Sequence, residues 1–227
     1  MNDEAKFGDH IDEICQRARK RAGWILRVFA TREAEAMLLL YKSLVRPILD
    51  YCSQLWAPTK IGLIRKIEGV QQNFSEKIAD CRGLNYWGRL QHLNLYSLER
   101  RHDRYKVIYV WKIINGLAPN IDIETAKIST YNHIRRGKLC YVPLLNNRSR
   151  ASVRTIKEAS FPVDASKTFN QLPILLRNFE GNLEAFKSRL DKFLATVPDT
   201  PVLPGHYVSA AGNSLQQQLA QQQAENM

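Results

Sequence analysis

Between Asp9 and Asn115 the apolar residues recur at steps of three and four, and the runs stop at prolines and glycines. Such a pattern is buried on one side only by a series of amphipathic helices. Ile11, Ile14, Ala18, Ala22, Ile25 and Phe29 mark the first helix, with Arg17, Arg19, Lys20 and Arg21 falling mostly between them as a basic outer face. Thr31 is placed to cap a second helix, with Glu33 and Glu35 in its first turn and Met37, Leu40, Tyr41, Leu44 and Val45 as its apolar positions. Pro47 removes a backbone donor and is expected to bend or break that helix, so Pro47 to Tyr51 begin a fresh turn running to Trp56 before Pro58. Ile61, Ile64, Ile67, Val70, Phe74 and Ile78 define a third helix that stops near Arg82-Gly83, and Gly69 suggests a close helix crossing. After a short turn from Tyr86 to Leu93, Ser97 and Glu99 open a strong helix from Leu98 to Asn115, closed by Gly116 and Pro119. Its start is polar, while Val107 to Trp111 is apolar nearly all round and is expected to be buried.

Beyond residue 120 the pattern changes. Lys138 to Pro143 and Val153 to Ile156 read as short strands around the loop Asn146 to Arg150, a small β-hairpin. Asp164 to Leu172 makes a short helix before Pro173, and Asn182 caps a last one carrying Leu183, Phe186, Leu190, Phe193 and Leu194. Pro198, Pro201 and Pro204 end the ordered body, and the segment with Gln216 to Gln218 and Gln221 to Gln223 is expected to be a low-complexity tail, flexible or helical only on contact. The predicted fold is therefore mainly α. It divides into a helical region over 1–119, a basic hairpin with C-terminal helices over 120–204, and a disordered Gln-rich tail over 205–227. Leu44, Trp56, Val110, Trp111, Phe186 and Leu190 are predicted core residues.

Several function classes are excluded at this level. A chain of 227 residues that is 44% hydrophobic is not disordered throughout, and no run approaches the roughly 18 apolar residues of a membrane span. The N-terminus has neither a basic nor an apolar signal region, so an intracellular protein, nuclear or cytoplasmic, is expected. Cys15, Cys52, Cys81 and Cys140 lie too far apart for a zinc knuckle and are expected to be reduced and buried. No nucleotide-binding glycine motif, no H-E-x-x-H and no G-x-S-x-G is present, so no cofactor, metal site or catalytic residue is assigned. The five histidines read as solvated, and no Asp-Asp pair exists to hold two metal ions.

The charges say more: 33 Lys plus Arg stand against 22 Asp plus Glu, a formal net charge of +11. Between Asn132 and Lys157 the chain carries Arg135, Arg136, Lys138, Arg148, Arg150, Arg154 and Lys157 with no acid among them, and Tyr131 and Tyr141 lie beside them. A second set, Lys42, Arg46, Arg65 and Lys66, flanks Pro47. These residues are the candidate contacts to an RNA or DNA backbone, without base specificity. The alternative is a helical structural or protein-interaction module whose basic faces are merely solvated. Of the four tryptophans, Trp56 and Trp111 stand in apolar company, and Trp87 beside Tyr86 and Arg89 is the better candidate for exposure.

The run Leu40 to Trp56, with Tyr41-Lys42-Ser43-Leu44-Val45-Arg46-Pro47-Ile48-Leu49-Asp50-Tyr51 inside it, resembles the segment following the polymerase palm in reverse transcriptases of non-LTR retrotransposons, the jockey and chicken-repeat type of LINE element. Ile67-Glu68-Gly69-Val70-Gln71, Gly83 to Tyr86, Arg89-Leu90, Leu93 to Arg101 and Tyr109 to Pro119 are similar to the helices that come next. Val142-Pro143-Leu144, Arg154 to Phe161, Phe169-Asn170-Gln171-Leu172-Pro173 and Phe186 to Leu194 resemble the C-terminal region. Together these pieces span Phe7 to about Pro204. The family's metal-binding aspartates belong to an aromatic-x-Asp-Asp motif that would precede His10, where this sequence has no room for it. The resemblance therefore implies a thumb-like helical bundle and the C-terminal segment after it, without palm or catalysis, whose expected partners are RNA or DNA and no membrane.

Overall fold

The computed structural model describes residues 7–120, 123, 137–142, 158, 160–200 and 213–225. Its elements are helical, with no strand among the described residues and no helix long and apolar enough to cross a membrane. The chain forms two compact units, one from Met1–His102 with Asp199–Ala210 and one from Asp103–Pro198 with Ala211–Met227.

In the first unit, α1 (Gly8–Val28) buries the predicted stripe Ile11, Ile14, Ala18, Ala22 and Ile25. α2 (Ala34–Leu40) starts three residues after Thr31, with Glu33 at its cap position and without a side-chain cap, and Thr31 Oγ1 accepts the Glu33 N–H at 3.3 Å. Pro47 does not break the helix that follows. A π-helical turn over Tyr41–Val45 precedes it, in which the Arg46 N–H reaches back five residues to the Tyr41 carbonyl, and α3 (Arg46–Asp50) continues with the proline in its first turn. Widening the turn there is what spares the proline ring a clash with the carbonyl four residues earlier. Cys52, at φ 53°, then reverses the chain into the single turn α4 (Ser53–Trp56), where the Trp56 indole N–H donates to the Tyr51 carbonyl at 2.8 Å.

α5 (Ile61–Ser75) packs against α1 and ends well before the expected stop. Ile78 stays buried in the turn beyond it, and the Ala79 N–H bonds the Arg32 carbonyl at 2.9 Å. A Cβ on Gly69 would meet no atom within 4 Å, so that glycine marks no close crossing. Where only a turn was expected, α6 (Tyr86–His92) forms because Asn85 Oδ1 accepts the Gly88 N–H at 2.8 Å. α7 (Leu98–Ile114) opens as expected, with Ser97 Oγ accepting the Arg100 N–H at 3.1 Å. Its polar start is nevertheless buried. Arg100 and His102 are both inside, and the His102 Nε2 lies 3.0 Å from the Leu49 carbonyl, against the expectation of a solvated histidine.

In the second unit the remainder of α7 contributes Val110 and Trp111 to a core shared with α8 (Phe161–Asn170), α9 (Ile174–Arg177) and α10 (Leu183–Leu194), which Asn182 caps as predicted. Five of the six predicted core residues are buried, and Leu44 is half-buried at the edge of the first unit's core. Residues 138–142 form no strand. Asn170 instead clasps Cys140, its Oδ1 accepting the Cys140 N–H and its Nδ2–H donating to the Cys140 carbonyl, each at 2.8 Å. The hairpin's loop, 146–150, and second strand, 153–156, lie outside the described residues.

The glutamine-rich segment is not a loose tail where it is described: residues 215–225 form α11 (Leu215–Glu225). Leu215 and Leu219 are buried, Asp103 Oδ2 accepts the Leu215 N–H at 2.9 Å, and the Gln216 amide donates to Asp164 Oδ1 and Thr168 Oγ1. Glutamine is a good helix former, and here the Asp164 carboxylate and the Thr168 hydroxyl satisfy the Gln216 amide that composition alone would leave to water.

Candidate nucleic-acid interface

A cluster of outward cations is carried by α1 from Arg17 on. Its buried stripe faces the core, so at 100° per residue Lys20 and Arg27 point away from it, with Arg17 and Arg21 on one flank, and all four are exposed. Trp24 sits among them at 40% exposure. The Arg21 guanidinium lies 5.8 Å from the Trp24 ring centroid, and Phe29 meets the indole edge-on at 6.1 Å. Arg32 fixes the end of this helix by donating to the Leu26 and Thr31 carbonyls, both at 2.7 Å. Acids occupy the first half of α1 and bases the second, the arrangement a helix dipole favours.

The sequence-predicted contacts separate into four groups. Lys66, on α5, is brought to α1, where its Nζ pairs with Asp12 at 2.7 Å and its carbonyl accepts from Arg19 at 3.3 Å; Arg65 beside it is exposed. That ion pair is half-exposed on both sides and is worth at most about 1 kcal/mol, so Lys66 can exchange Asp12 for a phosphate at small cost. Lys42 is exposed on the π-helical turn, whereas Arg46 leans inward to Asp50 at 3.7 Å, beside the tighter pair of Asp50 with Arg101 at 2.6 Å. Lys138 is half-buried: its ammonium lies 3.3 Å from Glu180 and its carbonyl accepts from Arg177 at 3.0 Å. Arg135, Arg136, Arg148, Arg150 and Arg154 lie outside the described residues. Sequence reasoning saw the basic face of α1 but did not join it to Trp24, and it favoured Trp87, which is half-buried against Tyr86 at 5.1 Å.

The residues that carry the resemblance are engaged internally. Gln71 accepts from the Tyr41 hydroxyl at 2.8 Å and donates to the Tyr86 hydroxyl and the Tyr96 carbonyl, both at 3.1 Å. Tyr86 donates in turn to Glu68, whose two carboxylate oxygens accept the Leu98 N–H at 3.1 and 3.0 Å. Glu68 is thereby a buried cap on α7. Burial pushes its carboxyl up to about 7, against the lowering effect of the Tyr86 hydroxyl and the Leu98 N–H, with the charge of Asp199 adding to the rise. Burial next to that carboxylate also holds Tyr86 well above the usual tyrosine range. In the second unit burial works against the Lys106 ammonium, but Asp103 at 3.1 Å and Asp164 at 2.7 Å outweigh it and raise its pKa.

Among the described residues no three His, Cys, Asp or Glu side chains are placed to hold a metal ion. The cysteines are free; Cys15, Cys81 and Cys140 are buried and Cys52 half-buried, and burial raises the Cys140 thiol to about 11, far from a reactive thiolate. No family model, no curated protein and no solved structure matches the chain.

Proposed function

We propose that this chain is the thumb-like and following C-terminal part of a reverse transcriptase of the non-LTR retrotransposon type, and that it binds RNA or DNA through the phosphate backbone without catalysing polymerisation itself. The observation that carries the binding is the outward face of α1, where Arg17, Lys20, Arg21 and Arg27 stand in a chain with eleven excess positive charges. Support for the family comes from the residues of the resemblance. Asp50, Glu68, Gln71 and Asn170 each hold segments tens of residues apart, as the skeleton of a shared fold would. A second reading, a protein-interaction module, is favoured by Leu39, Tyr51 and Leu55, which stand 69%, 78% and 52% exposed.

Binding to a labelled duplex across a salt series separates the two. Each phosphate contact adds about 0.9 to the log–log salt slope on duplex DNA, so replacing Arg148, Arg150 and Arg154 by alanine is expected to lower the slope by about 2 to 3 and to weaken all sequences alike. An unchanged affinity and slope would leave α1 as the candidate contact surface, and no salt-dependent binding by the wild type would put the interaction module first. On an RNA template with magnesium or manganese the chain is expected to extend no primer, because phosphoryl transfer needs metals held by convergent carboxylates. Incorporation above a protein-free control, with contaminating polymerase excluded, would overturn that part of the reading.

A further inference from the structure

We infer that Trp24 and the arginines around it form a stacking site for an unpaired base, so that the α1 face takes single-stranded rather than duplex nucleic acid. The inference rests on the nucleic-acid reading above and sharpens it. Along one side of α1 the exposed residues Arg17, Lys20, Arg21, Trp24 and Arg27 recur at steps of three and four and cover about 15 Å of helix at 1.5 Å per residue. That length admits a short run of nucleotides. A large aromatic side chain 40% exposed amid four cations is the composition of a platform in which phosphates meet charge and a base meets a π-face.

The geometry around the ring supports the same assignment. Phe29 stands against Trp24 at 82° with the centroids 6.1 Å apart, a T-shaped contact that orients the indole. Arg21 lies over the ring at 5.8 Å, near the outer limit of a cation–π contact, so an incoming base displaces it cheaply and leaves a guanidinium for the adjoining phosphate. Arg27 lies back over Gly23, its Nη1 3.6 Å from where a Cβ there would be. A basic amphipathic helix with a tryptophan could instead bind an anionic lipid surface, but such helices insert their apolar face. Here that face, Ile11 to Ile25, is already in the protein core. A stacked duplex offers no free base face away from its ends, which leaves the single strand.

The full chain is tested by fluorescence anisotropy with labelled oligouridylate, the matching RNA duplex, and vesicles of phosphatidylcholine with phosphatidylserine. Wild type is expected to bind the single strand, with its tryptophan emission quenched by stacking. Trp24→Ala is expected to weaken single-strand binding about tenfold or more while leaving duplex binding and the salt slope unchanged. Trp24→Phe, which keeps a π-face, is expected to stay within a few-fold of wild type but to lose the quenching, and it guards against misreading a folding defect. If Trp24→Ala binds the single strand as wild type does, the stacking site is overturned while backbone binding stands. Stronger binding to the vesicles than to oligouridylate would overturn it in favour of a lipid surface. If wild type binds neither strand form at low salt, the nucleic-acid reading itself fails.

Discussion

Replacing Trp111 by alanine is expected to destabilise the second unit by about 3–5 kcal/mol, the range for removing a fully buried large aromatic. Trp111 is 1% exposed, its ring is stacked on Phe186 at 4.6 Å with 11° between the planes, and its indole N–H donates to the Phe179 carbonyl at 3.3 Å. Alanine removes the stack, opens a cavity between α7 and α10, and leaves the Phe179 carbonyl without that donor. A domain is typically stable by only about 5–15 kcal/mol, so much of the margin goes with this one side chain. Trp111→Phe keeps the stack and should cost less. Denaturant titration followed by circular dichroism measures both, and a loss below about 1 kcal/mol for the alanine variant would mean that the second half of α7 is not packed.

A pH dependence of similar size is expected from Glu68. Its folded-state value of about 7 stands above the ordinary 4.5, so the folded chain holds a proton that the unfolded chain releases more readily. The stabilisation is fully present below about pH 4.5 and is lost as pH rises through about 7, in total about 3 kcal/mol at 1.36 kcal/mol per unit. The groups facing Glu68 are the Tyr86 hydroxyl, the N–H groups at the start of α7, and the charge of Asp199. Glu68→Gln keeps an oxygen for the Leu98 N–H and removes the titration, so its stability should be flatter between about pH 5 and pH 8. Denaturant midpoints for both proteins at the two pH values decide it; parallel losses in wild type and variant would remove Glu68 as the source.

Much of the helical scaffold could be read from the chain because its signals are local. The Asn182 cap, with its oxygen 2.8 Å from the Ala185 N–H, and Gly116 at φ +71° after α7 each depend on neighbours within a few residues. The burial of charge at the start of α7 could not be read this way. Arg101 is answered by Asp50 across 51 positions and Lys106 by Asp164 across 58, so each looks like surface until the fold is known. Where α11 docks could not be read for the same reason, since its first N–H is accepted by Asp103 across 112 positions. Of the candidate site, the charge on α1 was legible from periodicity. The exposure of Trp24 was not, because a tryptophan's burial is set by whichever distant element covers it.

The widened turn at Tyr41–Val45 has a consequence for how this stretch of sequence can change. Four residues of ideal α-helix turn through 400°, so a side chain repeated every fourth position creeps forward by about 40° at each step. Met37, Tyr41, Val45 and Leu49 are such a repeat, and over its three steps the creep would reach about 120° and carry Leu49 round toward solvent. All four are buried. The extra residue in the π-helical turn takes back about 100°, the angle one residue subtends, and returns the last of them to the core line. Bulge, proline and four-residue spacing thus act as a vernier. Deleting one of residues 42–44 would close the bulge to a regular turn and leave Leu49 at the same angle to the core, but it would bring back the proline clash, so such a deletion is expected to be tolerated only together with replacement of Pro47.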